Sequence, residues 1–82
     1  MRDLSRVPGA VPMTLGVPRP EVLREALSYR NEGSFERALG RAVRKHKGGY
    51  ADYLALITEV REYGRSSDLG LREAARALAD QP

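Results

Sequence analysis

Five basic side chains lie within a short stretch of this 82-residue chain, and they are the residues best suited to bind another molecule. Residues 34–48 carry one acidic side chain, Glu36, and five basic ones, namely Arg37, Arg41, Arg44, Lys45 and Lys47. One acid against five bases gives this segment a net charge of +4, whereas the whole chain carries only +3. Because three of the cations recur every four residues, they form one face of a helix. Such a face is suited to the phosphates of a nucleic acid or to an acidic protein surface.

The same charges have a second interpretation. Cations near the C-terminal end of a helix are stabilised by the helix dipole. Lys45 and Lys47 fit this explanation, whereas Arg37 and Arg41 come too early in the helix. The sequence leaves both interpretations open.

Catalytic and metal-binding chemistry find little support in the residues. His46 is the only histidine and there is no cysteine, so a metal site would have to be built from carboxylates. No serine lies in a Gly-x-Ser-x-Gly motif, and no glycine-rich phosphate-binding loop is present. We therefore expect no catalytic residue, no metal and no cofactor. Tyr50, which follows the basic segment, is the aromatic side chain best placed to stack on a base.

Hydrophobic spacing predicts four helices around these residues. The basic segment begins with Ser34, a preferred N-cap, and ends at the pair Gly48 and Gly49. Its apolar stripe follows a helical repeat: Phe35, Ala38, Leu39, Ala42, Val43 and His46. The other helices are predicted near residues 20–30, 50–63 and 71–78, with Gly64 ending the third and residues 66–68 forming a polar turn. The third has the widest apolar surface and is predicted to be the central packing element.

The first nineteen residues differ from the rest of the chain. They contain three prolines, which favour extended backbone, and a fourth follows at residue 20. We expect an extended N-terminal arm over residues 1–19 and a helical domain over residues 20–82. Alternating side chains at residues 13–17 could form one short strand. The predicted fold is thus an all-α bundle of about four short helices with a proline-rich arm.

The segment VPMTLGVPRPEVL, residues 11–23, begins a series of elements: a short strand, a proline, a helix, a glycine turn and a serine-capped second helix. Over residues 11–48 this order resembles the ribbon-helix-helix repressors. The resemblance implies a dimer whose paired strands enter the major groove of DNA, while the N-terminus of the second helix contacts phosphate.

The resemblance also implies roles for individual residues. One face of the strand would meet the DNA, either Thr14 and Gly16 or else Met13, Leu15 and Val17. Ser34 and Arg37 would hold the phosphate backbone. Because neither face of the strand carries Arg, Lys, Asn or Gln, such a ribbon would bind backbone without specifying a base sequence.

Composition limits the class of protein. A chain this small builds a thin core, so we expect a homo-oligomer or a subunit of a larger complex. No stretch is apolar enough to span a membrane, and the lack of cysteine suits the cytoplasm. The leading hypothesis is a non-catalytic nucleic-acid-binding protein, with a dimeric regulator as one form. Its predicted binding residues are Ser34, Arg37, Arg41, Arg44, Lys45 and Lys47. The alternative is a structural or adaptor subunit that docks through the arm and its apolar helix faces.

Overall fold

The computed structural model describes residues 16–81, which form four α-helices joined by short turns. Their bounds are Arg19–Ser28 for α1, Phe35–Lys45 for α2, Tyr50–Ser67 for α3 and Leu71–Ala79 for α4. These residues contain no strand, and the predicted all-helical bundle is confirmed. The predicted arm, apart from residues 16–19, lies outside the described residues, as do residues 13–15 of the predicted strand. None of the four helices is both long enough and apolar enough to cross a membrane.

The helices surround one small core. α1 packs against α2 and α4, and α3 packs against the same two helices. Large side chains such as Leu23, Leu39 and Leu56 fill the centre, while several alanines allow the helices to approach closely. α1, rather than α3, forms the two most extensive helix contacts, so the predicted central role of α3 is wrong. The apolar surface of α3 is not fully covered, because Tyr50 and Leu54 remain exposed.

The basic helix α2 begins as predicted and ends one residue earlier than the glycines suggest. The Ser34 hydroxyl accepts a hydrogen bond of 3.2 Å from the backbone N–H of Arg37. At the other end Lys47, not a glycine, takes the left-handed conformation, with φ at 64°. The backbone N–H of Gly48 then donates to the carbonyl of Val43 over 2.8 Å, which closes the helix in a Schellman motif.

Gly48 is required for packing. A Cβ atom there would lie 2.6 Å from Cγ1 of Val17 and 2.8 Å from Cγ1 of Val43. Val17 is only 5% exposed and belongs to the core, although it lies in the segment predicted as an arm. It therefore does not face outward, as one of the two strand faces implied by the ribbon-helix-helix resemblance would require.

α3 extends to Ser67, four residues beyond its predicted end at Tyr63. Gly64 lies inside this helix, and a Cβ atom there would come within 2.9 Å of the carbonyl oxygen of Leu69, so the close approach of the chain requires glycine. Asp68 ends the helix in the left-handed conformation. The predicted polar turn at residues 66–68 is therefore mostly helix.

A single carboxylate fastens the described start of the chain to α3. Asp52 accepts a hydrogen bond of 2.9 Å from the backbone N–H of Gly49, and one of 2.8 Å from that of Gly16. These two bonds, in that order of importance, hold the pKa of Asp52 below its usual value. Asp52 thus caps α3 and fixes the chain next to the buried Val17.

Candidate nucleic-acid interface

The structure brings three of the six predicted binding residues together and places the other three elsewhere on or next to α2. Arg37, Arg41 and Arg44 line one groove between α2 and the start of α3. Lys45 instead reaches toward α1, and Lys47 lies in the turn after α2. Ser34 remains at the N-terminus of α2, where it caps the helix.

The groove has a volume of about 690 Å³. A Cβ atom on Gly40 would lie 3.7 Å from Nη1 of Arg44 and 4.0 Å from the ring of Tyr53, which are ordinary van der Waals distances. The Arg44 guanidinium and the Tyr53 ring thus both lie beside Gly40. The sequence did not single out Gly40 or Tyr53 as part of this site.

Two tyrosines form the α3 side of the groove. The rings of Tyr50 and Tyr53 are stacked, with centroids 6.0 Å apart and planes inclined by 22°. Tyr50 is 73% exposed, the highest exposure of any large hydrophobic side chain in residues 16–81. An aromatic ring that is held by a neighbour and open to solvent is available to stack on a ligand. Tyr50 is also the aromatic side chain that the sequence singled out, and its stacking on a base stays a prediction.

Glu32, in the turn between α1 and α2, pairs with two of the three groove arginines. Its carboxylate accepts a hydrogen bond of 2.9 Å from Nη1 of Arg41 and lies 3.8 Å from Nε of Arg37. The bond to Glu32 raises the pKa of the Arg41 guanidinium. The same guanidinium lies 4.8 Å above the Tyr29 ring, a cation–π contact that also holds it in place.

Glu25 of α1 pairs in a similar way with Lys45. It accepts hydrogen bonds of 2.6 Å from the Tyr29 hydroxyl and 2.9 Å from Nζ of Lys45. The bond from Tyr29, followed by the bond from Lys45, lowers the pKa of Glu25. Including Glu25 and Glu32 with residues 34–48 reduces the local net charge from +4 to +2.

Arg44 and Lys47 differ from the other cations. Neither has an ion-pair partner within residues 16–81, and both are exposed. Of the two, Arg44 lies in the groove with the tyrosines. It is therefore the cation most available to an incoming anion at this site.

Within the described part of the chain, no three His, Cys, Asp or Glu side chains are grouped as a metal site would require. His46 caps the C-terminal end of α2, with Nε2 lying 4.0 Å from Oε1 of Glu25. The expectation that the protein uses no metal, cofactor or catalytic residue stays a prediction.

Comparison of the chain with protein-family models, with curated proteins and with solved structures gives no match. The resemblance to the ribbon-helix-helix repressors therefore stays a prediction.

Proposed function

We propose that this chain is a non-catalytic nucleic-acid-binding protein, and that it binds through the groove between α2 and α3. The observation that carries the proposal is the juxtaposition of Arg37, Arg41 and Arg44 with the stacked pair Tyr50 and Tyr53. Cations neutralise phosphates, and exposed aromatic rings stack on bases. A groove that supplies both groups suits a nucleic acid better than it suits an acidic protein surface, for which the cations alone would suffice.

The cations contribute in different ways. Arg44 has no carboxylate partner within residues 16–81 and meets a phosphate directly. Arg37 and Arg41 are paired with the carboxylate of Glu32, which competes with phosphate for them. Lys45 and Lys47 extend the positive surface beyond the C-terminal end of α2, and Ser34 orients the helix N-terminus toward the backbone of the nucleic acid. With the sequence features given above, we assign this activity to the cytoplasm.

The test is a salt titration with a charge-matched control. Binding of a fluorescently labelled oligonucleotide is followed by anisotropy from about 50 to 200 mM salt, for wild type and for Arg37→Gln combined with Arg44→Gln. The control combines Arg72→Gln with Arg76→Gln, which removes the same charge from exposed positions on α4, outside the groove.

The groove variant is expected to bind more weakly and to show a salt slope shallower by about 0.7 for each lost phosphate contact. The α4 variant is expected to keep the wild-type slope. An equal loss in both variants would show that net charge alone attracts the nucleic acid, and would overturn the proposal.

An adaptor subunit is the second candidate function, and one observation favours it. Tyr50 and Leu54 are exposed on successive turns of α3, and Leu54 is 42% exposed. Leu54→Lys is expected to abolish self-association or partner docking, measured by sedimentation, and to leave oligonucleotide binding intact. Deletion of residues 1–15 tests docking by the arm and retains the core residue Val17.

A further inference from the structure

We propose that the groove selects single-stranded nucleic acid, with one base stacked on the Tyr50 ring and the adjoining phosphate held by Arg44. This inference rests on the proposed nucleic-acid-binding function and names the form of the ligand. The experiment therefore has to distinguish a preference for single strand over duplex from nucleic-acid binding in general.

The charges of the site favour a single strand. Arg37, Arg41 and Lys45 are each engaged by a carboxylate of Glu25 or Glu32. Duplex binding draws much of its affinity from several cations set against the phosphate backbone. Here few cations are immediately available, so a larger share of the affinity has to come from contacts that do not depend on charge. Base stacking on an aromatic ring is such a contact.

The geometry of the tyrosines favours the same form. Tyr53 supports one side of the Tyr50 ring, and Tyr50 as a whole residue is 73% exposed. This exposure leaves the Tyr50 side chain open to a base from solvent. In a duplex the base faces are already covered by neighbouring bases, and exposing one costs unstacking energy. In a single strand the faces are accessible without that cost.

Arg44 gives the stacked base a neighbouring phosphate contact. It lies one turn from Gly40, and its guanidinium and the Tyr53 ring both lie beside that residue. Both Arg44 and Tyr50 line the groove. One aromatic ring and one cation in the same groove form the smallest unit that can hold a nucleotide by its base and its phosphate.

The experiment uses Tyr50→Trp, since the chain has no tryptophan and the substitution creates a single emitting indole at the site. The ligands are a single-stranded 12-mer as DNA and as RNA, the DNA duplex of the same sequence, and inorganic polyphosphate. The single strands are expected to quench the indole emission, whereas polyphosphate binds without quenching. Tighter binding of single strand than of duplex is expected for the wild-type protein.

Two further variants show whether stacking supplies the affinity. Tyr50→Leu is expected to weaken single-strand binding by about 5- to 150-fold, the range for losing one stacked base, while Tyr50→Phe retains most of it. Since Tyr50 is largely exposed, circular dichroism is expected to show the same fold for all variants.

The outcomes separate the two proposals. If Tyr50→Leu binds single strand as wild type does, or if duplex binds better, the stacking inference is wrong. The proposed function still stands in that case, provided Arg37→Gln with Arg44→Gln weakens binding. If no oligonucleotide binds at low salt, both proposals are overturned.

Discussion

The carboxylate of Glu32 competes with any phosphate for two groove arginines, so replacing it with glutamine is expected to strengthen nucleic-acid binding. Glu32 lies 2.9 Å from Arg41 and 3.8 Å from Arg37, and its side chain is only 17% exposed. The arginines themselves are 61% and 76% exposed, so a ligand can reach them as soon as the carboxylate is removed. Glu32→Gln keeps the size of the side chain, removes its charge and leaves one accepting oxygen in place of two, so it can no longer accept from both arginines.

The size of the effect follows from counterion release. Each cation that gains a phosphate adds about 0.7 to the salt slope for a single strand. When salt rises from about 50 to 200 mM, a variant with one additional free arginine is expected to lose about threefold more affinity than wild type loses. A variant with both arginines free is expected to lose about sevenfold more. The variant is therefore expected to bind more tightly at low salt and to lose that advantage as salt rises.

The assay is the anisotropy titration with a single-stranded oligonucleotide, and Glu62→Gln is the matched control. Glu62 pairs with Arg65 over 3.3 Å near the C-terminal end of α3, outside the groove, and its removal changes the net charge by the same amount. If Glu32→Gln and Glu62→Gln give the same affinity and slope, the carboxylate does not compete for the groove arginines. Weaker binding by Glu32→Gln would show that Glu32 holds the arginines in place for the ligand, which contradicts the reasoning.

Two further predictions concern stability. Backbone N–H groups of Gly49 and Gly16 hold the pKa of Asp52 low in the folded state. The ionised carboxylate therefore stabilises the fold at a pH above the pKa that Asp52 has in the unfolded chain, and this stabilisation is lost as pH falls through its pKa in the folded protein. Urea midpoints measured with decreasing pH are expected to fall less for Asp52→Asn than for wild type; identical pH profiles would show that Asp52 is not coupled to folding. Gly48→Ala is expected to lower the free energy of unfolding by about 1–3 kcal/mol, because its Cβ would press against Val17. Gly49→Ala is the control for that loss, since nothing lies within 4 Å of its Cβ position, and equal losses in urea unfolding would refute the packing argument.

The helices could be predicted because their signals are local. Ser34 caps α2, and the predicted apolar stripe of that helix is buried from Phe35 to Val43, while its last member, His46, is partly exposed at the C-cap. Glycines were harder to interpret, because one residue type serves several purposes. Gly64 was predicted to end α3, yet it lies within the helix, where its lack of a side chain leaves room for the chain returning past it at Leu69. Only the tertiary packing distinguishes a glycine that ends a helix from one that makes room for another segment.

The tyrosine site was only partly predictable for a related reason. Tyr50 could be selected because it follows the basic helix directly in the sequence. Tyr53 lies three residues after Tyr50 on α3, a spacing that places the two rings side by side, whereas Gly40 joins the site only because α2 packs beside α3. The groove exists because the turn after α2 brings the first turn of α3 back beside the basic face.

The spacing of residues along one helix does not predict which carboxylates from other elements will pair with the basic face of α2. Repeats of four residues predict which cations share a face, but Glu25 and Glu32 come from α1 and the turn that follows it. If all five cations met phosphates freely, the salt slope for a single strand would be about −3.5, whereas Arg44 and Lys47 alone would give about −1.4. A measured wild-type slope near the smaller value would mean that the carboxylates stay paired in the complex. A slope near the larger value would mean that phosphate displaces both of them, and in that case stacking on Tyr50 would no longer be needed to explain the affinity.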